Sequence, residues 1–196
     1  MKVLYLLAGP NGAGKTTFVD HVLRPVLGPS IEFVNADRMA HLTWPGDEER
    51  HAKEASQWAE RRREEYVASG IPFIAETVFS HPSKIDFVAE AARRGYTVEL
   101  KVILIPRSIV VARVETRVSN GGHTVPAERA LARYDRLWGH VATATAVADR
   151  TDFYDNSSID QPFRRIATLA RGRPVGDPSW PSWTPAVLRA LSPPPL

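Results

Sequence analysis

The chain has 196 residues, enough for one α/β domain with a buried core but short for two. Its 25 Lys and Arg against 22 Asp and Glu suit an anionic substrate, but this excess is too small to indicate DNA or RNA binding. The lack of cysteine excludes disulfides and thiolate metal sites. Because no apolar run is long enough for a membrane span and no signal peptide precedes the first strand, we expect a cytoplasmic protein.

The first motif is a glycine-rich loop at residues 9–16, which fits the phosphate-binding pattern G-x-x-x-x-G-K-[ST]. An unbroken apolar run at 3–8 precedes it and predicts a strand buried on both faces of a parallel sheet. A helix is predicted after the loop at 17–23, stopped by Pro25. Strand, loop and helix together predict a cradle in which backbone N–H groups converge on phosphate oxygens.

The loop also predicts ligands for ATP and Mg²⁺. Lys15 is expected to reach the β- and γ-phosphates, and the Thr16 hydroxyl is expected to bind Mg²⁺. The alternative is a glycine-rich turn that matches the motif by chance. The residues assigned to the nucleotide are Gly9, Pro10, Asn11, Gly12, Ala13, Gly14, Lys15, Thr16 and Thr17.

Strands and helices alternate along the rest of the chain. The predicted elements are strands at 31–35, 72–76, 96–105, 153–157 and 165–169 (a short edge strand), and helices at 47–69, 82–94, 108–118, 126–149 and 186–191. This alternation predicts an α/β fold of the P-loop NTPase type, with a parallel sheet of about five strands and helices on both faces. Ligands of such sheets bind outside the carboxyl ends of the strands.

Two carboxylates follow predicted strands at that rim. Asp37 is placed to accept the proton of an acceptor hydroxyl or to hold an Mg²⁺-bound water; the alternative is a helix N-cap. Glu76 ends an apolar strand beside Thr77, and is either a ligand for substrate hydroxyls or the partner of a buried arginine. The residues that we assign to the acceptor are Asn35, Glu76, Thr77, His123 and Arg129.

Arginines suggest a lid over the phosphates. Arg113 and Arg117 lie one helical turn apart before a Gly-Gly hinge, so both guanidinium groups can close over a bound phosphate. The alternative is a pair of surface arginines bound to Glu115 or Asp135. His123 lies in the hinge and can donate a hydrogen bond to phosphate when the lid closes.

A run of three arginines at 61–63 lies in the helix predicted at 47–69. It is most simply an exposed face, with Arg61 paired to Glu65 one turn away. A substrate-binding patch is the alternative.

These residues resemble the zeta-toxin family of P-loop kinases, especially its short bacterial branch. Five stretches carry the resemblance over about residues 1 to 157, and they are 8–17, Asn35-Ala36-Asp37, Glu76-Thr77-Val78-Phe79-Ser80, Arg113-Val114-Glu115-Thr116-Arg117 and Gly121-Gly122-His123-Thr124-Val125-Pro126. The phosphate loop alone is common to many families, whereas the ordered set is much more specific.

The resemblance implies a kinase that moves the ATP γ-phosphate to a sugar hydroxyl, with UDP-N-acetylglucosamine as acceptor and an antitoxin protein as partner. It implies that Asp37 is the base, that Glu76 belongs to the acceptor pocket and that Arg113 is the first lid arginine. One position departs from the family pattern, because His123 stands where a second lid arginine is expected. Arg117 or Arg129 then supplies that charge, or His123 does.

The expected organisation is a kinase domain at 1–171, with its lid at about 108–133, and a tail at 172–196. The tail holds seven of the 16 prolines, and its tryptophans, Trp180 and Trp183, either dock on the domain or bind a partner.

Two other functions remain open from the sequence. One is a metabolic kinase for another small hydroxyl compound, and the other is a nucleotide-dependent switch or ATPase. No guanine-specifying Asn-Lys-x-Asp occurs, and the fourth predicted strand ends in Ile105-Pro106 without the acidic residue usual for activating water. Both observations favour a kinase that uses Asp37.

Overall fold

The computed structural model describes residues 1–119 and 126–192. Its strands are β1 (Val3–Ala8), β2 (Glu32–Val34), β3 (Phe73–Thr77), β4 (Thr97–Leu104), β5 (Arg150–Asp155), β6 (Arg164–Ala170) and β7 (Arg173–Pro174). They form one sheet in the order β2-β3-β1-β4-β5-β6-β7, in which β1 to β5 are parallel and β6 and β7 are antiparallel. The predicted α/β fold is confirmed, and the sheet extends beyond the five parallel strands.

The helices surround this sheet. They are α1 (Lys15–Phe18), a π-helical turn (Val19–Leu23), α2 (Arg24–Leu27), α3 (Ala36–Thr43), α4 (Ala52–Ser69), α5 (Ser83–Arg93), α6 (Arg107–Ser119), α7 (Ala127–Thr145) and α8 (Ala186–Arg189). Among the described residues, no helix combines the length and apolar character needed to cross a membrane.

Strand β1 is the centre of the sheet, between β3 and β4. Successive residues Leu6 and Leu7 point to opposite faces and are both fully buried, so helices cover the two faces as predicted. The register pairs Leu7 with Glu76 and Ala8 with Thr77. The glycine loop that follows β1 therefore begins level with the end of β3.

The helix after the glycine loop does not stop at Pro25, and that prediction is wrong. It continues to Leu27 through one π-helical turn, in which the N–H of Arg24 donates to the carbonyl of Val19. Proline lacks an N–H and crowds the preceding turn of an α-helix. The wider π-helical turn lies directly before Pro25 and admits it without ending the helix.

Other elements also differ from the sequence prediction, and helix α4 begins at Ala52 rather than near Asp47. Helix α3 was not predicted, because it is short and has only Ala40 buried along its length. Helix α7 ends at Thr145 rather than near Asp149. Strand β5 begins at Arg150, three residues early, because its polar first half does not resemble a buried strand.

The polar half of β5 belongs to a buried charge network. Lys101 of β4 donates to Asp152 (2.7 Å) and Glu99 (2.8 Å), and Asp152 also accepts from Arg150 and Thr168. Burial would raise the pKa of Asp152, but the hydrogen bonds from Arg150, Lys101 and Thr168 outweigh it and lower the pKa to about 2. Each buried charge in this network therefore has a partner.

The predicted tail packs on the domain. Trp180 lies edge-on against Phe153, with ring centroids 5.1 Å apart, and Leu188 of α8 is fully buried in the core. The N–H of Ser179 donates to the carbonyl of Ile166 in β6. The Pro/Trp-rich segment therefore contributes to the hydrophobic core as far as Leu191.

Substitution of Asp152 tests the charge network. The folded-state pKa of Asp152 lies below its ordinary value of 3.8, so its stabilisation is complete above about pH 4 and is lost as the pH falls toward 2. We expect Asp152→Asn to lower the free energy of unfolding at pH 7 by about 3 kcal/mol, because Lys101 loses a partner. The pH dependence below pH 4 should also flatten.

Urea unfolding, followed by circular dichroism at several pH values, measures both effects. Asp177→Asn, at an exposed position, is the matched control. An Asp152→Asn protein with wild-type stability and pH profile would contradict the role of the network.

Candidate active site

The glycine loop at 9–16 is held by close packing on its surroundings. A Cβ at Gly9 would lie 2.5 Å from the carbonyl oxygen of Ile103, and a Cβ at Gly12 would lie 2.9 Å from Cβ of Arg113. Gly14 caps α1 in the left-handed conformation (φ 87°), without a side-chain hydrogen bond to the helix end. Larger residues would separate the loop from β4 and α6, so glycine at these positions keeps the loop tight.

Lys15 and Thr16 begin α1 and face the end of β3. The Lys15 ammonium donates to the carbonyls of Gly9 (3.1 Å) and Pro10 (3.0 Å) and lies 3.9 Å from Glu76 Oε1. The Thr16 hydroxyl donates to Glu76 Oε2 at 3.0 Å. The two residues that the sequence assigns to ATP and Mg²⁺ therefore share one carboxylate neighbour.

Asn35 connects this carboxylate to α3. Its Nδ2 donates to Glu76 Oε2 (2.8 Å), while its Oδ1 accepts from the N–H of Arg38 and caps the helix. Asp37 lies in the first turn of α3, so the alternative that Asp37 is the N-cap is wrong. Asparagine is as good a cap as aspartate, and it comes earlier in the chain.

Thr77 is fixed by a tight turn after β3. Its Oγ1 accepts from the N–H of Phe79 at 3.1 Å. Phe79 is fully buried with φ 65°, a conformation that bulky residues rarely adopt. The turn brings Val78 into the wall of the cavity beside Thr77.

One cavity of about 330 Å³ unites most of the predicted site. Asn11, Lys15, Asn35, Asp37, Glu76, Thr77 and Arg129 all line it. Asp37 thus shares a cavity with the phosphate loop, as the rim argument predicts. The Oδ1 atom of Asn11 is buried and has no hydrogen-bond partner within the described residues, so the loop offers an unsatisfied polar atom to a ligand.

The cavity is rich in positive charge. Five basic side chains line it against the two carboxylates of Asp37 and Glu76, and they are Lys15, Arg63, Lys84, Arg129 and Arg133. Such a lining favours a polyanionic ligand. Two alternatives were open for the arginines at 61–63. Arg61 is exposed, as the first alternative predicts, whereas Arg63 lines the cavity. Glu65 pairs with Arg62 instead of Arg61.

Of the two predicted lid arginines, the structure describes the side chain of Arg113 but not that of Arg117. Arg113 of α6 donates to the backbone carbonyl of Asn156 at 2.8 Å, and burial lowers the pKa of its guanidinium. Asp135, proposed as a surface partner, pairs with Arg107 instead (2.9 Å). The Arg117 side chain and His123 lie outside the described residues.

Asn156 is a residue that the sequence analysis did not select. Its backbone N–H donates to Leu104 and its Nδ2 donates to the carbonyl of Ala13 (2.9 Å), in addition to the bond from Arg113. A Cβ at Gly14 would lie 2.8 Å from its Nδ2. Asn156 therefore connects α6 to the phosphate loop, through contacts between distant parts of the chain that no local motif indicates.

The residues present fit Mg²⁺ and ATP. The described residues contain no group of three or more His, Asp or Glu side chains able to hold a metal ion. Mg²⁺ is usually bound through one or two protein oxygens together with substrate phosphates. Thr16 Oγ1 and Glu76 Oε2, 3.0 Å apart beside the loop, supply oxygens of this kind.

A glycine loop between β1 and α1, in a sheet whose parallel strands run in the order 2-3-1-4-5, defines a P-loop nucleotide-binding fold. The chain belongs to the zeta toxin family of P-loop kinases: the family model, described as Zeta toxin, matches residues 1–163. The resemblance inferred from the five sequence stretches is confirmed. No curated protein matches the chain at a significant level.

Solved structures share this fold. A chain of the PezAT chromosomal toxin–antitoxin system of Streptococcus pneumoniae superposes with a TM-score of 0.60 at 16% identity, covering 86% of this chain and 72% of that one. Chains of the AvrRxo1-ORF1:AvrRxo1-ORF2 complex, with sulphate ions and with ATP, give TM-scores of 0.65 and 0.60, both at 17% identity and covering 89% of this chain. This chain spans 60% of their length. At these identities the likeness is one of fold.

Substitution of Asn156 tests its contact with the loop. We expect Asn156→Ala to weaken ATP binding about tenfold, because the carbonyl of Ala13 loses the side-chain amide that donates to it, while the backbone carbonyl that accepts from Arg113 is kept. Binding of a fluorescent ATP analogue measures the effect. Gln161→Ala, exposed in the following loop, is the control. Equal affinities in both variants would contradict a positioning role for Asn156.

Proposed function

We propose that this protein is an ATP-dependent kinase of zeta-toxin type that phosphorylates a hydroxyl of a nucleotide sugar such as UDP-N-acetylglucosamine. The observation that supports this proposal most directly is the shared cavity of Asp37, Lys15 and Glu76. A kinase needs a phosphate cradle and an oxygen base in one water-restricted space, and these residues supply both.

ATP and Mg²⁺, when bound, supply the phosphoryl group and screen its charge. Lys15 and the loop amides would hold the phosphates, and Thr16 with Glu76 would hold the metal ion. Asp37 orients the acceptor hydroxyl and takes its proton as the new O–P bond forms and the bond from the γ-phosphorus to ADP breaks. In this arrangement Glu76 would lie beside the metal ion, and Asn35 and Thr77 would line the space for the acceptor.

The basic side chains stabilise the transferred group. Arg129 lies one helical turn before Arg133 on α7, and both line the cavity. They are placed to screen negative charge that develops between ATP and acceptor. We assign Arg113 of α6 to the lid because it lies against the phosphate loop at Gly12, and we keep Arg117 and His123 as lid residues on the family resemblance.

We also propose a toxin role with an antitoxin partner. Two structures that share this fold belong to systems described as pairs: the PezAT toxin–antitoxin system and the AvrRxo1-ORF1:AvrRxo1-ORF2 complex. Family membership supports the same relationship for this chain.

Acceptor-dependent turnover tests the kinase proposal. We expect wild type to release ADP with UDP-N-acetylglucosamine, and Asp37→Asn to slow release at least about 100-fold while ATP binding is kept, because a general base contributes 10²–10⁴ in rate. Lys15→Ala should lose stabilisation of the protein by ATP. The control is Asp86→Asn, an exposed change on α5.

A panel of other hydroxyl compounds, nucleosides and shikimate included, separates the nucleotide-sugar kinase from a metabolic kinase. ADP release that needs no acceptor and survives Asp37→Asn would identify an ATPase instead.

Bacterial growth tests the toxin role. Expression of the intact chain should slow growth, and expression of Asp37→Asn at the same level should not, since toxicity depends on phosphoryl transfer. Growth curves with immunoblots for expression measure this. Equal growth of the two strains would contradict a toxin role and leave the kinase proposal to the turnover assay.

A further inference from the structure

Ser56 carries a hydroxyl into the cavity, and the proposed kinase reaction does not use it. The residue lies in the second turn of α4, on the same face as Ala59 and Arg63. All three line the cavity that also contains Lys15 and Asp37. The Ser56 side chain is exposed to this space. A serine hydroxyl therefore shares one cavity with the phosphate loop and with the proposed base.

The Ser56 hydroxyl is not engaged by other parts of the fold. Of the described residues that line the cavity, only Ser56 and Thr77 carry a hydroxyl, and Thr77 Oγ1 accepts from the N–H of Phe79 at 3.1 Å. Hydroxyls within helices often donate to the preceding turn, as Thr143 does to the carbonyl of Gly139 (3.1 Å). No such bond involves the Ser56 hydroxyl within residues 1–119 and 126–192. Its oxygen is therefore open to a reactant in the cavity.

The packing of α4 on α3 fixes where Ser56 lies. Ala55 and Ala59, on either side of Ser56 in the sequence, are both buried, and α4 packs against α3. Small side chains allow two helices to approach closely. Helix α3 carries Asp37 in its first turn. The two packed helices therefore present the proposed base and the serine to one cavity.

We propose that Ser56 is a self-phosphorylation site, at which the kinase modifies its own chain when no acceptor fills the cavity. The Ser56 oxygen forms the new O–P bond, the bond from the γ-phosphorus to ADP breaks, and Asp37 takes the hydroxyl proton. The products are ADP and a phosphoserine, so no further reactant is needed. This inference rests on the proposed kinase function and adds a second acceptor, which belongs to the protein itself.

The modification would change the cavity. A phosphoserine carries a charge of about −1.5 to −2 at pH 7 and three acceptor oxygens. Five basic side chains line the cavity, and one of them, Arg63, lies two turns further along the same face of α4. The modified side chain is therefore stabilised where it forms, and it fills space that an external acceptor needs. We expect self-phosphorylation to slow turnover of that acceptor.

Mass spectrometry of the full chain tests the modification without any external acceptor. After incubation with Mg²⁺ and ATP, we expect the wild type to gain one phosphoryl group, which peptide fragmentation assigns to Ser56. Ser56→Ala should gain none. Asp37→Asn should gain it at least about 100-fold more slowly, because the base is lost.

The matched control is Ser69→Ala, the same change at an exposed position at the end of the same helix. It should be modified as the wild type is. Stabilisation by ATP in a thermal shift assay shows that each variant is folded and binds nucleotide. A wild type that gains no phosphoryl group, or a Ser56→Ala protein modified as fast as the wild type, would overturn the proposal.

The position of Ser56 at the cavity of its own chain predicts a reaction within one molecule. The rate constant should not change with protein concentration. A tagged Asp37→Asn chain, mixed with active Ser56→Ala, should stay unmodified. Transfer to the tagged chain at the wild-type rate would mean that Ser56 reacts from outside, and would overturn its assignment to this cavity.

Preincubation with Mg²⁺ and ATP separates this inference from the proposed function. Subsequent turnover of UDP-N-acetylglucosamine should decline in the wild type and keep its initial rate in Ser56→Ala. An acceptor that releases ADP while Ser56 stays unmodified would remove the inference and keep the kinase. ADP release with neither an acceptor nor a phosphoserine would remove both, because it identifies an ATPase.

Discussion

The two hydrogen bonds to Glu76 Oε2 hold the site together. One comes from Thr16 at the start of α1 and the other from Asn35 at the end of β2, so a single carboxylate joins three neighbouring segments of the rim. The same Asn35 side chain uses its other atom to begin α3. The direction of α3, and with it the position of Asp37, therefore depends on a carboxylate that lies beside Lys15. The phosphate loop and the segment that carries Asp37 are therefore held through one carboxylate.

Basic side chains differ in their carboxylate partners between two parts of the fold. On β4 and β5, Lys101 is buried among carboxylates that satisfy it, which indicates a structural role. In the cavity, Arg63 and Lys84 are half-buried, and no carboxylate pairs with them in the part of the chain that the structure describes. Burying an unpaired charge costs free energy. The five basic side chains of this cavity therefore favour an anionic ligand.

The sequence predicted the features that depend on nearby residues. The phosphate loop, the strand before it and the rim position of Glu76 follow from local pattern and from the geometry of parallel sheets. Asn156 was not identified as a site residue, because its role arises from a contact with Ala13, which is distant in the chain. Arg63 was considered only within a substrate-binding patch, as the alternative to an exposed face, because the residue it lies against, Phe87, is also distant in the chain. The helix through Pro25 escaped prediction because the π-helical turn has no recognisable sequence signature. The polar start of β5 was not predicted as a strand, because the partners of its charged residues lie on neighbouring strands.

The family match ends at residue 163, one residue before β6 begins. Strand β5 has β4 on one side and β6 on the other, and Phe153 is covered by Trp180. A fragment trimmed to the family boundary would present β5 as an open edge, with unpaired backbone groups and a bare aromatic surface. Such edges recruit strands from other molecules, so shortened versions are poor choices for expression and crystallisation. Residues 164–192 thus cover the edge and the aromatic surface of β5.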